Sequence, residues 1–338
     1  MNRDFIPVSS PDISSTEIDF VMRAVQSGWV SSLGEFVDRF EREFADFCAS
    51  DHAVSMSNGT NALFIALKAL GLGPGDEVIV PALTFAAVPA VVVHLGAAPV
   101  IVDAHPEYWC MDPAAVEKAI TSRTKAIIVV HVYGHPADLN PIVDMAESNQ
   151  ISIVEDGAEA HGARYKGKVV GSMGEVGCFS FYGNKILTTG EGGMAVTDNP
   201  ELAGRMRLLK DHAMDPQRRY YHPEAGYNSR MTNIQAALGC AQLSRIEELQ
   251  GKRHQILQWY QQSMGNIRGI SLNPAMPWAE PVNWMVSAVL RDTGAMQRDP
   301  LLKQLKKAGI DSRPFFIPVH QLPPYRRFRC VGVSGSEL

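Results

Sequence analysis

An α/β fold with a mostly parallel central sheet is what this sequence predicts, on three observations. Short apolar runs alternate with helical patterns at even spacing from about residue 50 to residue 156. Residues able to do chemistry stand just past the ends of several of these runs, where open α/β sheets bind their ligands. The 338-residue length, with 46% hydrophobic and 20% charged residues, allows a large core and two lobes.

The elements follow in order. HAVSM (52–56) reads as a strand and 60–70 as a helix. EVIVP (77–81) is a strand followed by a helix over 85–95, and APVIVD (98–103) a strand followed by a helix over 113–120. TKAIIVVHVYG (124–134) leads to a helix over 139–149, and ISIVED (151–156) is a further strand. Strand and helix in this rhythm argue a sheet covered on both faces, with right-handed crossovers. FSFYGNKILTTGEGGMAV (179–196) reads as strand and turn, and 200–210 as a helix. The stretch 231–264 carries one long helical pattern, read as a connector. Beyond it MVSAVL (285–290) is strand-like, DPLLKQLKKAG (299–309) helix-like, and RPFFIPVHQLPPY (313–325) proline-rich. The expected division is a large α/β domain over 1–240, with its N-terminal segment, and a connector helix plus small α+β domain over 241–338.

Several classes are disfavoured. A net charge of −5 gives no basic excess for a nucleic-acid partner. The stretch 1–15 has no apolar core of a signal peptide, and 86–102 is too broken by proline and glycine to cross a membrane. Five scattered cysteines without a CxxC pair suit reduced thiols in a cytoplasmic protein.

Three sites carry candidate chemistry. SNGTNAL (57–63) follows a strand and opens a helix. Gly59 permits close backbone approach, and Ser57 and Thr60 offer hydroxyls, so the first helical turn reads either as an anion site or as ordinary capping. In VEDGAEAHGA (154–163), Asp156 ends an apolar run and could bind a metal, orient a histidine, pair with a cationic ring nitrogen or be solvated. A metal would need further ligands; Glu159 and His161 stand nearby, but their spacing fits no familiar zinc pattern, and no metal is expected. Lys185, between a hydrophobic run and a glycine-rich turn, reads as a surface lysine or as a nucleophile with a lowered pKa. Taken together, a phosphate cradle, an acid past a neighbouring strand and a lysine are the parts a pyridoxal 5′-phosphate (PLP) enzyme needs. The acid keeps the ring nitrogen protonated, and the lysine forms a Schiff base. Phe85, in LTFAA (83–87), is placed to stack on the ring.

With these motifs, from SGWVSSLGEFVDRFE (27–41) through GDEVIVPALTF, VEDGAEAHGARYKGK, FSFYGNKILTTGEGG and YNSRMTNIQAALG to SRPFFIPVHQLPPY (312–325), the chain resembles the DegT/DnrJ/EryC1/StrS sugar aminotransferases. The resemblance implies the aspartate aminotransferase-like fold (PLP fold type I), with pyridoxamine phosphate as the alternate cofactor form. It implies Lys185 as the residue bonded to PLP and Asp156 on the pyridine nitrogen. Ser57, Gly59, Thr60 and Ser180 hold the phosphate, Phe85 stacks, and Glu159 lies near the phenolic oxygen. Asn228 would reach the phosphate in the other subunit of a homodimer. L-Glutamate is the implied amino donor and a nucleotide-linked 4-keto-6-deoxy sugar the acceptor. SGWVSS, SFYGNKILTTGEGGM, MDPQRRYY and SRPFF point to the subgroup that acts on GDP-4-keto-6-deoxymannose at C4, which makes a precursor of surface polysaccharide such as O-antigen.

Arg230 and Arg313 are candidates for the diphosphate or for structural ion pairs, and His320 and His222 for sugar hydroxyls or for neither. The alternatives are a UDP- or dTDP-linked acceptor, amination at C3, a sugar dehydratase, which would carry histidine in place of Lys185, and a non-catalytic PLP-binding regulator, which would need a DNA-binding module not seen here. Family members usually run further and end in a helix that packs the small lobe. This chain stops at GVSGSEL, so that lobe is expected to be incomplete.

Overall fold

The computed structural model describes residues 5–291 and 297–333. The closing stretch 334–338, on which the expectation of an incomplete small lobe rests, lies outside them, as do residues 1–4 of the stretch read for a signal peptide. Helix α1 (Ser15–Gln26) opens with a capping box between Ser14 and Glu17. Helix α2 (Glu35–Cys48) buries Phe36, Val37, Phe40, Phe44, Ala45 and Cys48, the spacing of one helical face. There follow β1 (His52–Met56), α3 (Gly59–Ala69), β2 (Glu77–Pro81), α4 (Ala87–His94), β3 (Ala98–Val102), α5 (Pro113–Ala119), β4 (Thr124–Val130), α6 (Leu139–Asn149) and β5 (Ser152–Asp156).

Two short strands, β6 (Arg164–Tyr165) and β7 (Lys168–Val169), lead to β8 (Val176–Ser180) and β9 (Gly193–Thr197). Then come α7 (Pro200–Lys210), α8 (Asn233–Leu243), α9 (Ile246–Met264), β10 (Ile270–Leu272), β11 (Ala279–Glu280), β12 (Ala288–Leu290), α10 (Arg298–Lys307) and β13 (Cys330–Val331).

Eight strands form one sheet in the order β1-β9-β8-β5-β4-β2-β3-β13. The pairs from β8 to β13 are parallel, and β9 runs against both its neighbours. From β2 the chain moves outward to β3, then crosses back to β4 and on to β5. The order therefore reverses between β2 and β4, the switch point beside which such sheets bind ligands. The expected mostly parallel α/β sheet is observed.

Aromatic packing fixes which face of β8 is which. Phe44 of α2 meets Phe179 and Phe181 edge-on, at 5.1 and 5.2 Å between ring centres. Successive strand side chains alternate, so Ser180 points to the other face. Asp156 pairs in register with Cys178, two residues before Ser180, so Asp156 and Ser180 share that face.

Three details differ from the sequence reading. The run 124–134 is strand only to Val130, and Val132–Gly134 turns as a 3₁₀ helix with Tyr133 at φ 53°. The helical pattern 231–264 is two helices broken at Ser244–Arg245. No glycine or proline causes the break. The Arg245 guanidinium is drawn to Glu17 at 2.7 Å, and to Asp12 and Glu248 at 2.9 and 3.0 Å. Of 285–290, only Ala288–Leu290 is strand, paired with β10. Residues 330–331 extend the edge of the central sheet beside β3. Among the described residues no helix is long and apolar enough to cross a membrane.

Candidate active site

Lys185 is carried on the loop between β8 and β9. Tyr182 and Gly190 bridge across this loop, Phe181 N–H donates to Gly192 O, Thr189 N–H to Phe181 O, and Lys185 N–H to Tyr182 O. The lysine is thus held on a tight turn whose ends are paired strands, and its side chain is only 12% exposed. Its Nζ lies 3.6 Å from Glu159 Oε1, and the other Glu159 oxygen accepts the Tyr133 N–H at 2.7 Å.

The cradle follows from two glycines. Gly193 stands in register with both Met56 and Ser180, so it separates the ends of β1 and β8 without a side chain between them. A Cβ on Gly59 would lie 2.6 Å from Ser180 Cβ, so only glycine lets the start of α3 come this close. Asn58 caps α3 by accepting the Asn61 N–H, and its carbonyl takes that of Ala62. Among the described residues the N–H groups of Gly59 and Thr60 have no partner. Ser57 Oγ accepts from Asn61 Nδ2, and Ser57 N–H donates to Ser229 O. Two helix-terminal N–H groups beside a serine hydroxyl make an anion site.

The acidic pair at the end of β5 is split by the pleat. Glu155 is buried on the α2 side, where it accepts from the N–H groups of Gly171, Met173 and Gly174 at 2.7–2.8 Å and from His131 Nε2 at 3.0 Å. Burial opposes its charge, but these donors outweigh burial and hold the carboxyl below its usual range. Asp156 faces the site. Burial pushes its carboxyl up, and the Ala158 N–H and Lys185 offset this only partly. Glu159 is pushed up by burial in the same way, with Lys185 opposing. A buried carboxylate left short of donors suits a protonated ring nitrogen.

Phe85, past β2, is 62% exposed, with its ring 6.0 Å from that of Phe316. His161 is fully buried on the α2 side between Phe179 and Phe181. Among the described residues neither ring nitrogen has a partner, and burial drives its pKa down to about 3. Among the described residues no three metal-ligating side chains gather.

The substrate candidates fare differently. Arg230 is already engaged, to Asp211 at 2.8 Å and to Asn228 Oδ1 at 3.2 Å. Arg313 is exposed and 3.9 Å from Asp311. His222 is exposed and bonded to the carbonyl of His212. His320 follows the loop from Pro318, where Val319 N–H donates to Ala82 O past β2, and its buried Nδ1 has no partner among the described residues. Asn228 is exposed. Sequence reasoning missed Trp284, whose ring lies 3.9 Å from the Lys185 amine, and Tyr133, whose N–H holds Glu159; neither lies beside a motif, and nothing local marks them.

Residues 11–331 match the DegT/DnrJ/EryC1/StrS aminotransferase family. The chain belongs to that family. It is 46% identical to a protein named GDP-perosamine synthase from Caulobacter vibrioides, over 98% of this chain and 92% of that one. It is 41% identical to a protein of the same name from Escherichia coli O157:H7, over 95% and 87%. Among solved structures, DesV of S. venezuelae superposes with a TM-score of 0.87 at 38% identity, over 95% of this chain and 87% of that one. Spr1654 of Streptococcus pneumoniae, solved in PMP and PLP forms, superposes at 0.90 with 31% identity, over 95% of this chain and 86–87% of that one. The protein is a PLP-dependent aminotransferase of fold type I, and family membership implies a sugar acceptor and an amino donor. The residues present fit PLP: a cradle that a Cβ would fill, two under-satisfied buried carboxyls and a sequestered lysine converge at one edge of the sheet.

Proposed function

We propose that this aminotransferase moves the amino group of L-glutamate to C4 of GDP-4-keto-6-deoxymannose, giving GDP-perosamine. The observation that carries the reaction type is the Lys185 amine held against Glu159 in a site where a dehydratase would need histidine. The choice of sugar is supported by three relatives named GDP-perosamine synthase, at 38–46% identity.

Each residue has a role in this reading. The N–H groups of Gly59 and Thr60, with the hydroxyls of Ser57, Thr60 and Ser180, bind the phosphate. Asp156 would hold the ring nitrogen protonated, Phe85 would cover the ring and Glu159 would lie beside its phenolic oxygen. Bound PLP supplies an electron sink for the charge left when the donor's α-proton departs. Lys185 Nζ takes that proton, and in the second half of the cycle gives one to C4 of the sugar. His320 and Arg313 are proposed at the sugar and diphosphate, and Arg230 acts there only if it leaves Asp211. The division into a large domain and a small C-terminal domain, a cytoplasmic homodimer and the reach of Asn228 to the partner's phosphate belong to the same proposal.

The test is a product assay with PLP, L-glutamate and GDP-4-keto-6-deoxymannose, beside UDP- and dTDP-linked ketosugars. Formation of 2-oxoglutarate together with a GDP-amino sugar is expected. Preference for a dTDP sugar would overturn the acceptor and favour the activity named for a 41% identical Streptomyces venezuelae relative, dTDP-3-amino-3,4,6-trideoxy-alpha-D-glucose transaminase.

A further inference from the structure

The Lys185 amine has a second neighbour besides Glu159. Its Nζ lies 3.9 Å from the centre of the Trp284 ring, well inside the range at which an aromatic face attracts a cation. Trp284 is buried and fixed from several sides. Its Nε1 donates at 2.7 Å to the carbonyl of Asn184, the residue before the lysine. Its own carbonyl accepts from Arg253 at 3.2 Å. Its ring lies nearly parallel to Tyr133, 6.2 Å away.

The contacts close on themselves. Tyr133 N–H holds Glu159, Glu159 faces Lys185, Lys185 lies under Trp284, and Trp284 stacks on Tyr133. The Asn184 carbonyl also accepts from Ser9 Oγ at 3.1 Å, and Ser9 Oγ accepts from Arg253 at 2.9 Å. The peptide that carries the lysine is thus anchored by the indole N–H, and the amine by the indole face. A lysine side chain has four flexible torsions, and one carboxylate 3.6 Å away leaves the amine free to swing about it.

We propose that Trp284 is a positioning residue of the reaction: its ring face holds the Lys185 amine in place whenever that amine is not bonded to the cofactor, so that it stays within reach of the proton it moves. The proposal rests on Lys185 being the proton-moving amine. That reading fails separately, if Lys185→Ala retains turnover.

The test compares Trp284→Met, which fills the space without a ring face, with Trp284→Phe, which keeps a face and loses the N–H. The first readout needs no cofactor. In PLP-free protein, amine-selective labelling of Lys185 is followed by peptide mass spectrometry. Met is expected to raise the labelling rate about fivefold or more, with other lysines unchanged and Phe near wild type. In the loaded enzyme, Met is expected to lower kcat by about ten- to a hundredfold, as for a reacting group displaced by about an ångström, while KM for donor and sugar stays within about twofold. Phe is expected to restore most of kcat. Two results overturn the proposal: a Met variant equal to wild type in labelling and kcat, or a Phe variant as impaired as Met, which would put the effect in the N–H bond or the fill of the site. If Trp284→Met does not fold, Trp284→Leu against Trp284→Phe makes the same comparison.

Discussion

Asp156 and Glu155 are neighbours in sequence and opposites in environment: one is a buried carboxyl starved of donors, the other a buried carboxyl with four. The pleat of β5 puts them on different faces, so one strand end serves both the site and the scaffold.

For Asp156 this fixes the sign of a stability effect. Its carboxyl is raised in the folded state, so its contribution is most favourable below the ordinary 3.8 and is lost as pH rises through the higher folded value. Asp156→Asn removes that cost and keeps an acceptor for Ala158. In PLP-free protein the variant should therefore melt higher than wild type at neutral pH, and the gap should close below pH 3.8. Turnover should fall about 10²–10³-fold. Thermal melts across pH and a steady-state assay check both halves.

Glu155→Gln should do the reverse. It removes a buried charge from four charge-assisted hydrogen bonds and should cost about 3–5 kcal/mol, measured by urea unfolding. The Glu155 carboxyl is lowered, so its stabilisation is present above the ordinary 4.5 and is lost as pH falls through its lower folded value. The difference between wild type and variant should shrink in that acid range.

Gly59→Ala places a methyl 2.6 Å from Ser180 Cβ. Forcing the cradle open should cost about 1–3 kcal/mol and weaken PLP binding, read by cofactor titration and by the melting temperature without PLP. A variant that binds PLP as wild type does would show that the cradle is not the phosphate site.

Lys185→Ala should abolish the glutamate-dependent change in cofactor absorbance and lower turnover by at least about 10²–10⁴-fold. Lys185→Arg should not restore it, because arginine keeps its proton at any working pH.

Much of this was legible in the sequence for a physical reason. Gly59, Asp156 and Lys185 each follow an apolar run, and strand ends along one side of a sheet converge without help from distant residues, whereas Ser180 came only from the family resemblance. The break at Ser244–Arg245 was not legible, because Arg245 there pairs with Asp12 and Glu17 from the other end of the chain and helical periodicity is blind to such partners. Arg230 read equally as a diphosphate ligand or as a structural ion pair, and only the fold reveals Asp211 as its partner. Trp284 meets the lysine and Tyr133 meets Glu159 from separate segments, and no spacing rule joins them.

Strand β9 is the member of the central sheet that runs backwards, and this decides how the reactive amine is mounted. Because β8 and β9 are hydrogen-bonded partners, the amine rides on a clasp closed at both feet rather than on the free end of a strand. The mount is thus built from paired backbone of the sheet, and Trp284 adds its contacts to it from the C-terminal segments.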